Sequence, residues 1–215
     1  MLTSVRVPAA LAPAFEFAQA MVRREFADIA HRPDKGTIHV AGDRYLFVRA
    51  DSLYLGWYTA LRDVFGKDAA SGFIYSTAHA IGANDCNAFS EKLALDDGVA
   101  RLASGPVHFA HAGWAFVNIF DDSTPTSDDS YFLHYSHPNT FETEVLRARA
   151  MATDDCACLF SAGYSAGWCS AAFGLEVLAR EIRCLARGDD LCEFIMAPEA
   201  KLSEHQARVE GSRDR

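Results

Sequence analysis

The sequence lacks any cluster of basic residues. Acidic residues outnumber basic ones by 29 to 20, which gives the 215-residue chain a formal net charge of −9. Proteins that bind nucleic acids or anionic membranes neutralise phosphate groups with Lys and Arg. We therefore expect neither direct nucleic-acid binding nor membrane binding.

A long apolar run is also lacking. The N-terminal stretch MLTSVRVPAALAPAFEFAQAMVRREF is interrupted by Glu16, Arg23, Arg24 and Glu25, so it is typical of neither a signal peptide nor a membrane span. We expect a cytoplasmic protein, in which the six cysteines are reduced thiols. Closely spaced thiols then indicate metal binding or catalysis rather than disulfides.

Motifs for common enzymatic and output activities are missing too. The sequence shows no Gly-rich nucleotide loop, no kinase motif, no basic helix-turn-helix and no nicotinamide or flavin fingerprint. We predict no catalytic residues.

The N-terminal half predicts helices. Apolar residues recur at three- and four-residue steps in residues 13–30, and again from a cap at Asp51 or Ser52 up to Gly66. A further helix, rich in Ala and Gly, is predicted over residues 69–95. Between the first two helices, TIHVAGDRYLFV predicts a hairpin with a Gly-Asp turn.

The C-terminal half predicts strands. PVHFAHAGWAFVNIF and SYFLHYSH are aromatic-rich without a helical period, CACLFSAGY predicts a short strand, and AREIRCLARGDDLCEFIMAP predicts a closing hairpin. Helices are predicted at FETEVLRARAM, after a cap at Asn139 or Thr140, and at SAGWCSAAFGLEV. The predicted fold class is α+β, with an antiparallel sheet flanked by helices and a helical N-terminal extension.

Two cysteines, Cys184 and Cys192, lie on opposite arms of the closing hairpin. They are either buried thiols or half of a metal site, and spacing alone gives these alternatives equal weight. Zinc takes four Cys, His or carboxylate ligands, so further ligands are sought among Cys156, Cys158, Cys169, Glu181 and Asp189. An ideal strand disfavours Glu181, because residues three apart point to opposite faces; a bulge would be required.

The stretch CLFSAGYSAGWCSAAFGLEVLAREIRCLARGDDLCEFIMAP carries an ordered pattern of Cys, GY-x-x-G-W, E-x-x-C and G-D-x-x-C-x-F. This pattern resembles the 4-vinyl-reductase-type domain, the ligand sensor of bacterial activators of aromatic catabolism, which also occurs fused to kinases and other outputs. Residues 35–149 resemble the sensor half of that family more weakly, chiefly at GPVH and SHPNTFE.

The resemblance implies one structural zinc ion. The ligands of the family correspond to Cys158, Glu181, Cys184 and Cys192, with Cys156 as a rival for the first position. Four protein ligands would leave no coordination position for water, so the resemblance implies a structural rather than a catalytic ion. The closing hairpin would then be stapled by zinc.

Two aromatic strand faces predict either an ordinary core or a ligand pocket. Strand alternation places Trp114, Phe116, Asn118 and Phe120 on one face, and Tyr131, Leu133, Tyr135 and His137 on another. The resemblance implies that His108 binds a phenolic hydroxyl. It also places His137 where the family has a tryptophan, and an imidazole can accept a hydrogen bond where an indole only donates one. The predicted ligand is therefore more polar than phenol, or another small hydrophobic effector. The predicted ligand-binding residues are His108, Trp114, Phe116, Tyr135, His137, Tyr164 and Trp168.

The resemblance implies a cytosolic sensor that regulates transcription or another output, fused or in trans, and that forms a homodimer. Residues 1–34 would form the dimerising extension, 35–198 the small-molecule sensor and 199–215 a polar tail or linker. The alternatives are a reductase or assembly factor in tetrapyrrole (bacteriochlorophyll) synthesis and a purely structural module. A histidine metal or haem site at His108, His111, His134 and His137 is a minor alternative.

Overall fold

The protein, described by a computed structural model over residues 1–213, combines seven α-helices with eight strands in those residues. The helices are α1 (Ala12–Ala27), α2 (Ala50–Phe65), α3 (Lys67–Lys92), α4 (Gly98–His111), α5 (Phe141–Ala148), α6 (Leu159–Phe173) and α7 (Glu199–Arg213). The strands are β1 (Val5–Arg6), β2 (Ile29–Arg32), β3 (Thr37–Val40), β4 (Asp43–Tyr45), β5 (Val117–Ile119), β6 (Leu133–His137), β7 (Leu178–Arg183) and β8 (Cys192–Ala197). None of these helices is both long and apolar enough to cross a membrane, over the residues described.

A five-stranded sheet forms the centre of the fold, in the order β1-β5-β6-β8-β7. Its neighbours pair antiparallel except for β1 and β5, which run parallel. A separate antiparallel ribbon contains β2, β3 and β4. One face of the large sheet packs in the main core with α4 and α6, and the other face is covered by α7 through Leu202 and Val209. The α+β prediction is confirmed.

Helices α3 and α6 approach each other at backbone distance. A Cβ atom added at Gly167 would lie 1.9 Å from the carbonyl oxygen of His79, and one added at Gly163 would lie 2.3 Å from that of Tyr75. Gly82 meets the backbone of Tyr164 in the same way. Because no side chain separates them at these points, the two helices form one tightly joined unit.

The N-terminal segment is joined to the rest of the domain. Strand β1 adds to the large sheet beside β5, and α1 packs against α4. Gln19 of α1 accepts hydrogen bonds from the backbone N–H groups of Thr3 and Ser4, at 2.7 and 3.2 Å. The role of residues 1–34 in dimerisation stays a prediction.

Two predicted strands are helices. GPVHFAH belongs to α4, whose first turn is capped by Asp97, and LFSAGY begins α6. Both segments are buried on nearly all sides, so they carry no alternation of apolar and polar faces that would mark them as helical. Aromatic content there reports burial, which was misread as strand propensity.

The other predicted helices and both hairpins are present. Thr140 caps α5 with a reciprocal bond to Thr143, and β7 and β8 form the closing hairpin. The predicted polar tail is helical from Glu199 to Arg213; Asp214 and Arg215 lie outside the described residues.

Candidate metal site and aromatic cavity

Four donor side chains converge where α6 meets the closing hairpin. Cys158 is the N-cap residue of α6, Glu181 lies in β7, Cys184 follows β7, and Cys192 begins β8. One ligand atom from each lies within 4.8 Å of all the others, and the three cysteines are fully buried. The Sγ atoms of Cys158 and Cys192 are 3.5 Å apart. We call these four residues the sulfur cluster.

Backbone N–H groups surround the sulfur cluster. Ala157 N–H donates to Cys184 Sγ at 3.4 Å, Leu185 N–H donates to Cys192 Sγ at 3.5 Å, and Cys158 N–H donates to Glu181 Oε2 at 2.9 Å. Such donors favour thiolate and carboxylate over their protonated forms. The other carboxylate oxygen, Glu181 Oε1, is buried and has no hydrogen-bond partner within residues 1–213. This group of atoms could hold a metal ion.

A strand irregularity brings Glu181 to the same side as Cys184. The pairing of β7 with β8 shifts register between Glu181 and Arg183, which supplies the bulge that ideal alternation required. Asp189 has a different task, because its Oδ2 accepts a 2.7 Å bond from Cys184 N–H. Cys156 is not part of the converging group.

A small enclosed cavity lies between α4, α6 and the large sheet. Its volume is about 30 Å³. Aromatic and aliphatic side chains dominate the lining, which is formed by Leu102, Gly105, Pro106, Phe109, Val117, Ile119, Leu133, Tyr135, Tyr164, Ser165, Trp168, Cys169 and Met196. Three of the predicted ligand-binding residues, Tyr135, Tyr164 and Trp168, are therefore in its wall. Burial raises the pKa of the Cys169 thiol to about 12, so the thiol is neutral.

His108 is hydrogen-bonded behind this wall. The hydroxyl of Tyr164 donates to Asp85 Oδ2 at 2.8 Å, so its oxygen accepts from His108 Nδ1 at 3.2 Å. His108 Nε2 is then an acceptor, and it receives the hydroxyl of Tyr45 at 3.1 Å. Burial, with a smaller effect of His111, lowers the pKa of His108 to about 4. The ring is therefore neutral at physiological pH, and it stacks on Trp168 with ring centroids 5.6 Å apart.

His137 offers an unused acceptor. Its Nδ1 must donate to the carbonyl oxygen of Phe116, 2.9 Å away, because a carbonyl only accepts. Its Nε2 is buried without a hydrogen-bond partner in the described part of the chain, and burial lowers the pKa of the ring to about 4. Phe109 lies between His137 and the cavity, since its ring is 5.9 Å from His137 and also lines the cavity.

Trp114 and Phe116 do not line the cavity. The buried residues here are Ala115, Val117 and Ile119, so the predicted inward face of this strand was wrong by one residue. Residues 114 and 116 precede β5 and border an open surface depression with a volume of about 470 Å³. The corresponding face of β6 was correct, because Leu133, Tyr135 and His137 are all buried.

The histidine metal site is not formed. His108 and His111 lie on α4 rather than on a strand, and His134 bonds Asp122 and Glu193 at 2.9 and 2.7 Å. Among residues 1–213, the sulfur cluster is the group of closely spaced metal-binding side chains.

Sequence reasoning missed three polar residues of the cavity region: Tyr45, Asp85 and Ser165. Tyr45 reaches His108 from the ribbon, across 63 residues of sequence, and Asp85 reaches Tyr164 across 79. No local pattern connects residues so far apart. Ser165 lies within the quoted motif GYSAGW, but as an unassigned position.

Comparisons with known proteins agree with this geometry. The model of the 4-vinyl-reductase-type domain family matches residues 138–198, the segment that contains the sulfur cluster and α6. The phenol regulator MopR of Acinetobacter guillouiae is 25% identical over 139 residues, which are 64% of this chain and 25% of MopR. The chain therefore matches only about a quarter of the length of that relative.

Among solved structures, the phenol-responsive sensory domain of the transcription activator PoxR with phenol superimposes with a TM-score of 0.75. It has 19% sequence identity, and the match covers 91% of this chain and 96% of that one. A weaker likeness, with a TM-score of 0.48 and 13% identity, is to a trafficking protein particle complex subunit 3 from Naegleria fowleri, covering 69% of this chain and 93% of that one. The chain thus contains a 4-vinyl-reductase-type domain at residues 138–198, built into the fold that the PoxR sensory domain also has.

Proposed function

We propose that this protein is a sensory domain that binds a small aromatic or hydrophobic effector and relays a conformational change to an output module, fused or in trans. The observation that carries this proposal is the enclosed aromatic cavity between α4, α6 and the sheet, with the neutral rings of His108 and His137 behind its walls. The names of MopR and PoxR, a phenol regulator and a phenol-responsive activator, support it.

The size of the cavity supports a coupling between binding and movement. A volume of 30 Å³ accommodates about two water molecules, whereas a cavity that admits benzene measures roughly 150 Å³. An aromatic effector must therefore displace wall residues of α4, α6 or the sheet. That displacement is the conformational change available for relay to an output.

Two histidines are suited to an effector hydroxyl. His137 Nε2 is a buried acceptor without a partner in residues 1–213, so a phenolic O–H that reaches it would satisfy it. His108 Nε2 already receives a phenol, the side chain of Tyr45. An effector that uses His108 must displace Tyr45, and with it the ribbon from which Tyr45 extends.

The sulfur cluster supports a structural zinc ion. Three cysteine thiolates and one carboxylate are ligands that zinc accepts, and four protein ligands complete a tetrahedron. Cys158, Glu181, Cys184 and Cys192 would hold the ion, which would supply a cross-link between the start of α6 and the closing hairpin. Such a cross-link adds its binding free energy to the stability of the fold.

The remaining parts of the proposal concern assembly. Residues 1–34 would contribute to a homodimer, residues 35–198 would form the sensor, and the helix that begins at Glu199 would lead towards an output.

Thermal unfolding of the purified protein, with metal content measured on the same sample, tests the proposal. We expect phenol or a related aromatic to raise the unfolding temperature, because a ligand that binds only the folded state stabilises it. We also expect about one zinc ion per chain. The panel should include tetrapyrroles: a shift with a tetrapyrrole alone would support the pigment-synthesis alternative. Absence of a shift with every compound would contradict the sensor, and absence of zinc would contradict the metal assignment.

A further inference from the structure

One polar atom in the cavity wall has no counterpart. Tyr135 is 1% exposed, lies in the middle of β6 and lines the cavity. Its hydroxyl has no hydrogen-bond partner in residues 1–213. Buried hydroxyl groups without partners are uncommon in folded proteins, because burial removes them from water without a replacement.

The other buried tyrosines show that this is a local feature. Tyr54 donates to the carbonyl oxygen of Ala157 at 3.0 Å, Tyr131 donates to Met196 Sδ at 3.6 Å, and Tyr164 donates to Asp85. Tyr135 is the only buried tyrosine in the described chain whose hydroxyl is left without a partner. A phenylalanine would fill the same space without this cost, so the hydroxyl suggests a ligand that uses it.

The wall facing Tyr135 carries further polar capacity. Ser165 and Cys169 lie one helical turn apart on α6 and both line the cavity. Burial raises the pKa of Tyr135 well above its usual value, and Ser165 lies near enough to lower that pKa slightly, yet the two hydroxyls do not form a hydrogen bond. Polar character in the cavity is therefore confined to the region between β6 and one face of α6, apart from the Tyr164 hydroxyl, which is already bonded to Asp85 and His108.

We propose that Tyr135, assisted by Ser165, determines specificity by binding a second polar substituent of the effector, so that the preferred effector is an aromatic compound with two polar groups rather than simple phenol. The inference rests on the proposed sensor function and deepens it. A site with a hydroxyl that must be paired discriminates against a ligand that leaves it unpaired, since the ligand then keeps that group buried without a partner.

The test is calorimetric titration of the full chain with phenol, catechol, resorcinol and hydroquinone. We expect the wild-type protein to bind at least one dihydroxybenzene about tenfold more tightly than phenol, the size of effect that one satisfied buried hydrogen bond gives. Tyr135→Phe should bind phenol within about twofold of wild type and lose the preference. The matched control is Tyr131→Phe, which is equally buried just before β6 but lies outside the cavity lining, and which should keep it.

Each result decides between the two levels of the proposal. Equal or tighter binding of phenol than of all three dihydroxybenzenes, or a preference that survives Tyr135→Phe, overturns the specificity inference and leaves the sensor function standing. No binding of any compound overturns both. If Tyr135→Phe does not fold, Ser165→Ala replaces it. A fall in the preference of at least about threefold supports the inference, and an unchanged preference overturns it.

Discussion

Helix α6 takes part in two sites that treat polar atoms in opposite ways. At its N-terminus, the sulfur cluster brings four donor atoms within 4.8 Å of one another and surrounds them with backbone N–H groups. Further along, the cavity sets single polar atoms, such as the hydroxyl of Tyr135, in an apolar wall. The first arrangement suits a small cation held permanently, because its ligands are complete. The second suits a ligand that comes and goes, because the protein itself leaves a requirement unmet.

Removal of one ligand of the sulfur cluster should have the largest effect. Cys184→Ser should abolish stoichiometric zinc and destabilise the domain by about 3–5 kcal/mol, because the remaining buried ligands lose their common partner. For a domain of this size that corresponds to a fall in Tm of roughly 6–20 °C. Metal analysis and thermal unfolding measure both effects. Cys156→Ser is the matched control and should keep the metal; a stable Cys184→Ser protein with full zinc content would refute the ligand assignment.

The wall shared by the two sites can be disturbed without touching either. Gly167→Ala would place a methyl group 1.9 Å from the carbonyl oxygen of His79, so we expect a loss of about 3 kcal/mol, the upper part of the range for overpacking. Gly72→Ala, in α3 but with open space around it, should instead stabilise by about 0.5–1 kcal/mol. Chemical denaturation of the two variants compares them. Equal stabilities would show that α3 and α6 are not in backbone contact.

Mild acid should separate the cavity region from an otherwise identical variant. His108 has a pKa of about 4 when folded and about 6.5 when unfolded. The unfolded chain therefore binds the extra proton first, and stability from this group is complete above pH 6.5 and is lost as the pH falls to 4, by about 2–3 kcal/mol. His108→Gln should show a correspondingly shallower loss over that window in denaturation at fixed pH. Parallel pH profiles for the two proteins would contradict the burial of a neutral ring.

The smallest expected effect concerns the tethered phenol of Tyr45. If the effector competes with this side chain for His108 Nε2, Tyr45→Phe should raise effector affinity by about three- to tenfold, the equivalent of one modest hydrogen bond. Tyr58→Phe serves as the control, since the hydroxyl of Tyr58 contacts Arg62 on the surface helix α2 instead. Weaker binding by Tyr45→Phe would mean that Tyr45 helps to hold the effector rather than competing with it.

The sequence specified the sulfur cluster better than the cavity, for a physical reason. Metal-binding side chains are few and chemically distinct, so an ordered pattern of Cys158, Glu181, Cys184 and Cys192 could be recognised, and the bulge in β7 was even named as a requirement. Cavity walls are made of residues that also build ordinary cores. The buried segments of α4 and α6 give no period that separates helix from strand, and the strand face containing Trp114 was consequently assigned the wrong way round.

The polar network around His108 illustrates what local patterns cannot supply. Tyr45 and Asp85 become its neighbours only when the ribbon and α3 are folded against α4 and α6. The α+β class and the closing hairpin were predictable because they depend on short, continuous segments. The hydrogen bonds that set the tautomer of His108 depend on the whole chain.

The backbone contact between α3 and α6 has a mechanical consequence. With 26 residues, α3 is about 39 Å long, and at its far end Lys92 bonds Glu25 of α1 and Asp43 of the ribbon at 2.8 and 2.9 Å. A push on α6 from inside the cavity cannot be absorbed between the two helices, because no side chain there can yield. We expect α3 to act as a stiff rod that carries the push to α1 and the ribbon, and hydrogen exchange at residues 41–43 should change when effector binds. The glycines of α6 would thereby fix where a binding event inside the domain becomes visible at its surface.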